Sequence, residues 1–129
     1  MKNALLAMCL SVCVLIPARA DFTVKEYQTV MRGGKQDVIQ AFEGVVSGIG
    51  AGIMAANAYA LLTKKISLFC SPDGLALNGY NYIDILNRTI KQLQEAPGQA
   101  RESASRLDEV PLSTILIQGL ADTFPCPAK

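Results

Sequence analysis

Histidine and tryptophan are both missing from this chain of 129 residues. Without imidazole there is no Ser-His or Cys-His nucleophile pair and no histidine-containing zinc site. Nor is there a side chain whose ordinary titration falls near neutrality. Charge is sparse as well, with 18% charged residues, a net of +1 and no basic cluster. That excludes the electrostatic footprint of a nucleic-acid-binding protein and of a polybasic membrane anchor. Ser-x-x-Lys does not occur, and the adjacent acids Asp108 and Glu109 do not by themselves flank a glycosidic bond. The glycines of Val45-Val46-Ser47-Gly48-Ile49-Gly50-Ala51-Gly52-Ile53 superficially suggest a dinucleotide-binding turn, but Ile53 stands where the third glycine belongs and the flanking spacing is helical. No catalytic residue, cofactor or metal site is assigned, and the expectation is a binding protein rather than an enzyme.

Cysteine is also scarce, and where it falls is informative. Lys2 precedes an apolar run from Ala4 to Ile16 that closes on Pro17-Ala18-Arg19-Ala20, the layout of a secretory signal cleaved after Ala20. The run is too short to span a bilayer. Cys9 and Cys13 leave with residues 1–20, as do Lys2 and Arg19, so the exported chain starting at Asp21 carries ten basic and eleven acidic side chains. Cys70 and Cys126 remain. A single pair in an exported domain of 109 residues is read as a disulfide ahead of free thiols or metal ligands, and zinc would need more ligands than these.

The spacing predicts an all-α single domain. Thr23-Val24-Lys25-Glu26 is a capping-box pattern that starts a helix over 24–32, stopped by Gly33-Gly34. Val38, Ala41, Phe42, Val45 and Ile49 recur at helical spacing, and no proline interrupts the run before Pro72, predicting one long helix over 36–67. Its stretch Val45 to Leu62 has no ionisable group apart from the Tyr59 phenol, which raises a membrane-inserted alternative. A central helix buried in a helical domain is preferred, and no stable membrane insertion is expected. Gly44, Gly48 and Gly52, four apart, mark a face for close helix packing, by a neighbouring helix or a dimer mate. Ser71-Pro72-Asp73-Gly74 is turn chemistry, and Asn78 caps a third helix with Tyr82, Ile83, Leu86, Ile90 and Leu93 on one side, ending before Pro97-Gly98. A polar segment over 99–110 follows, with one turn of helix near Ala104 to Leu107. Pro111 then opens a last helix whose Ile115, Leu116, Gly119 and Leu120 face the core, and Phe124-Pro125 returns Cys126 toward Cys70.

Phe69-Cys70-Ser71-Pro72, a helix holding Tyr82-Ile83-Asp84-Ile85-Leu86, then Pro97, then Ile115 to Leu120 running into Phe124-Pro125-Cys126, together resemble the Rap/Tai family of periplasmic immunity proteins. The resemblance covers most of the exported chain. It implies a bundle of four to five helices with one disulfide, often a homodimer. Such a protein binds a cognate peptidoglycan amidase effector of a type VI secretion system and occludes its active-site cleft, protecting a cell from its own toxin or that of its siblings. The fourth Tae/Tai amidase group is the expected sub-type. The segment 99–109 is the first choice for the blocking surface, through Arg101, Glu102, Ser103, Ser105, Arg106 and Asp108, because it is the longest polar insertion and lies between Pro97 and Pro111. The turn Ser71 to Asn78 is the second. The competing expectation is a small periplasmic acid-stress chaperone, which would lose its fold or assembly as carboxylates protonate. A far-UV spectrum unchanged from neutral to acid pH tells the two apart.

Overall fold

The computed structural model describes residues 21–96 and 106–127. Among these, four helices and no strand appear: α1 (Val24–Gly33), α2 (Gln36–Lys64), α3 (Gly79–Glu95) and α4 (Leu112–Thr123). The protein is all-α, tied by one disulfide between Cys70 and Cys126 whose Cα atoms lie 4.8 Å apart.

Local chemistry sets most of the helix starts. At α1, Thr23 Oγ1 accepts from Glu26 N at 3.3 Å while Thr23 N donates to Glu26 Oε2 at 2.8 Å, completing the capping box. At α3, Asn78 Oδ1 accepts from Asn81 N at 3.1 Å and Asn78 N donates to Asn81 Oδ1 at 2.9 Å. Pro111 caps α4 with an extended backbone, so the helix proper starts one residue later, at Leu112.

The long helix ends earlier than its periodicity suggests, at Lys64 rather than Ser67. Lys65 adopts a left-handed backbone, φ 56°, and donates to Leu61 O at 3.2 Å. The reason lies two turns back, where Asn57 draws the backbone of 68 and 69 onto the helix flank and leaves it unable to continue the spiral.

Val24, Tyr27, Val46, Phe69, Leu86, Leu112, Leu116 and Leu120 form the centre of the core, each at most 1% exposed. Burying a side chain of this size stabilises by roughly 1.5–3 kcal/mol. The most extensive packing is between α3 and α4, which meet through Gly119. A Cβ there would fall 2.6 Å from Ile85 Cγ2, so only glycine permits the approach. Gly50 does the same for α2 and α3, because a Cβ at that position would lie 2.5 Å from the Tyr82 ring.

Burial of α2 is one-sided, which corrects the expectation of a buried central helix. Phe42, Val46, Gly50 and Asn57 point inward. Only 11% of its most apolar 18-residue window, mean hydropathy 1.6, is buried. Among the described residues the three other helices gather on the flank that carries Phe42, Val46 and Gly50.

Tyr27 sits in the core with its hydroxyl donating to Asn87 Oδ1 at 2.8 Å, and burial pushes its phenol up to about 12 against a partial lowering by that bond. A raised phenol pKa favours the neutral form in the folded state. Its contribution is therefore fully present below pH about 10 and is lost as pH rises toward 12. Urea midpoints measured across that window should fall for the wild type and fall less steeply for Tyr27→Phe.

Candidate functional site

The connection from α2 to α3 runs over residues 65–78 without regular structure, yet it is held at four points. Asn57, 8% exposed, donates through Nδ2 to Phe69 O at 2.9 Å and accepts through Oδ1 from Leu68 N at 2.8 Å. Ser67 Oγ donates to the same Phe69 O at 2.6 Å. The Phe69 ring is fully buried. Cys70 N donates to Phe124 O at 2.8 Å beside the disulfide, so the end of α4 and the connection are joined by both a hydrogen bond and a covalent bond. Beyond Cys70 the chain turns through Pro72-Asp73-Gly74-Leu75, closed by Leu75 N donating to Pro72 O at 3.2 Å, with Gly74 at φ 75° where a side chain would strain the turn.

These anchors place apolar side chains outside rather than inside. Ile66 and Leu68 are more than half exposed, Leu75 lies on the surface and Tyr80 follows on the first turn of α3. Between the connection and α2 lies a cleft of about 350 Å³, lined by Met54, Asn57, Leu61, Phe69, Pro72 and Leu75 among others. A second hollow of about 340 Å³ opens on the other side of the disulfide, between Leu61, Ile66, Cys126 and Pro127. The two share Leu61, Ser67 and Cys70, giving one apolar region divided by the disulfide. Association through such a surface would carry little backbone-ordering cost, because folding has already fixed the connection.

Of the six residues proposed for toxin contact, Arg101, Glu102, Ser103 and Ser105 lie outside the described residues, as does half of the expected turn from Ala104 to Leu107. Arg106 and Asp108 lie inside, at an end of the polar segment that is fixed to α1. Lys25 N donates to Asp108 O and Val24 N to Val110 O, each at 3.0 Å, and Leu112 N donates to Phe22 O at 2.7 Å. Leu107 is buried in the core. Arg106 is exposed, and Asp108 borders an open cleft of about 440 Å³ shared with Lys25, Gln28, Thr29 and Arg32 on α1. The first-turn amides of α1, which the helix itself leaves without partners, thus hold the return of this segment.

Gly44, Gly48 and Gly52 point away from the rest of the chain, and a Cβ on any of them would meet nothing within 4 Å. Among the described residues no helix covers them. The close approaches are made by Gly50 and Gly119, which the four-residue spacing did not single out, and Asn57 was visible only as the lone amide in an apolar run. Among the described residues no group of three or more Cys, Asp or Glu is placed to hold a metal ion. Comparison of the chain with protein-family models, with curated proteins and with solved structures returned no match.

Proposed function

We propose that this protein is an exported, periplasmic immunity protein that binds a cognate peptidoglycan amidase effector of a type VI secretion system and occludes its active-site cleft. One observation carries the reading: the connection over 65–78, which folding fixes at Asn57, Phe69 and the disulfide while its apolar side chains Ile66, Leu68 and Leu75 remain on the surface. An inhibitor that enters a cleft needs a segment already in its bound shape, and ordering each free side chain at the moment of binding would cost about 0.5–1.5 kcal/mol. The polar segment ending at Arg106 and Asp108 supplies the second contact, tethered at its far end to α1.

Sequencing the neighbouring genes for a Cys-His amidase, then titration calorimetry of residues 21–129 against a catalytically inactive form of any such enzyme, paired with a peptidoglycan-cleavage assay, tests the reading. Tight binding with loss of cleavage is the expected result. Replacing 101–106 by Gly-Ser repeats, which leaves the buried Leu107 in place, and separately Leu68 and Leu75 by Ser, should each weaken binding by about tenfold or more with an unchanged far-UV spectrum. Unaltered affinity in the first variant removes the polar segment from the interface. Absence of any binding by the wild type overturns the proposal.

A further inference from the structure

Among the described residues ten large apolar side chains are exposed, and five of them, Tyr59, Leu61, Leu62, Ile66 and Leu68, fall within ten consecutive positions at the close of α2. Asn57 is the last residue of that helix to be buried, so its final two turns run on past the core. There Lys65 reverses the chain, and Ile66 and Leu68 return beside the helix toward Asn57. The result is a knob rather than a groove. Tyr59 and Leu61 project about 160° apart around the helix axis, with Leu62 on a third bearing. An exposed apolar cluster of this density marks a contact surface.

We propose that this knob is a peripheral membrane contact, dipping into the headgroup and outer acyl region of a bilayer that carries anionic phospholipid. The inference stands on the exposure and charge of residues 59–68 and is independent of the amidase reading. Two features select lipid. The first is shape: a flat protein face would cover side chains set around the whole helix on one side only, whereas lipid closes around all of them. The second is charge. Lys64 and Lys65 are exposed, neither has an ion-pair partner among the described residues, and no acid occurs from Gly44 to Pro72. Asp73, the next acid, borders the cleft on the far side of the disulfide from the hollow that Lys65 lines, and Asp122 near the end of α4 lines neither. Lysine stems lie along apolar surface while the ammonium stays at headgroup level, and tyrosine is favoured at the same depth. Apolar insertion and local positive charge each bind weakly, and together they give reversible attachment. The helix does not cross the bilayer in this arrangement, because Phe42, Val46 and Gly50 hold its earlier turns against the core.

The test uses residues 21–129 and vesicles of phosphatidylglycerol with phosphatidylethanolamine. The protein should float with these vesicles and far less with phosphatidylcholine alone. Leu62→Glu, at a position 74% exposed, should weaken binding by about tenfold or more with an unchanged far-UV spectrum. Lys64→Gln combined with Lys65→Asn, the asparagine tolerating the left-handed backbone, should weaken binding to the anionic vesicles by about tenfold. The chain has no tryptophan, so Tyr59→Trp supplies a single reporter. Its emission should move to shorter wavelength on the vesicles and be quenched by brominated lipid, while Val38→Trp near the other end of α2 should stay unquenched. Absence of flotation overturns the proposal, as does flotation that Leu62→Glu leaves unchanged. So does equal flotation on the two kinds of vesicle, which would remove the role of the lysines. Equal quenching at 38 and 59 also overturns it, because the whole helix face would then lie on the bilayer.

Discussion

Replacing Cys70 and Cys126 by Ser lowers the free energy of unfolding by about 4 kcal/mol, because the disulfide closes a loop spanning 56 residues and removes that freedom from the unfolded chain. This is a large share of the roughly 5–15 kcal/mol available to a small domain. The effect falls mainly on the unfolded state. In the folded protein Cys70 N still donates to Phe124 O, Asn57 still holds Phe69 O, and the Phe69 ring still fills the core. The serine variant should therefore keep its helical spectrum while its urea midpoint falls sharply. Oxidised wild type with the same midpoint as the variant would show that the bridge contributes nothing.

Asn57→Ala should cost about 2 kcal/mol. One buried and one half-buried hydrogen bond to backbone disappear, and the Leu68 amide, which donates to Asn57 Oδ1 at 2.8 Å, is left without that acceptor. Stranding the half-buried Leu68 donor costs toward the lower end of about 1–3 kcal/mol, and losing the buried bond to Phe69 O adds about 1 kcal/mol. Part of the loss is offset because Ser67 Oγ continues to donate to Phe69 O. Asn57 and the disulfide secure the same connection, so the two changes should not be additive, and a double-mutant cycle measures their coupling. In the proposed function the loss of Asn57 also loosens the 65–78 surface, so binding should weaken in proportion to the ordering that must then occur on contact. A stability change below about 0.5 kcal/mol would mean that water replaces the amide and that the clamp is unimportant.

Much of this architecture can be read without coordinates because it is locally determined. Thr23 with Glu26, and Asn78 at the head of α3, are caps whose partners lie three residues away. Gly74 takes its positive φ within a four-residue turn. Ile115, Leu116, Gly119 and Leu120 recur on one side of α4 and are all buried. Cys70 and Cys126 are joined as expected.

The candidate site was less legible. The turn at Ser71 to Asn78 was a candidate, but the amide that fixes the chain just before it lies on α2, eleven and twelve residues from the backbone groups it holds. The polar segment over 99–109 was the first choice for the blocking surface, with one turn of helix, but nothing in its sequence showed that its far end is bonded to α1 more than 80 residues earlier in the chain. Neither relationship leaves a periodic trace.

By itself, then, the sequence determined which stretches are helical, where α1 and α3 begin, the turn at Gly74 and the cysteine pair, since each depends on neighbours within about one turn or on there being a single available partner. The tertiary structure alone decided which glycines are crossing points and which side of α2 is covered. Apolar residues surround that helix on both sides, so its periodicity names no inward face. The choice is made by where Tyr82 and Phe69 come to rest, and that leaves Gly50 inside and Gly48 out.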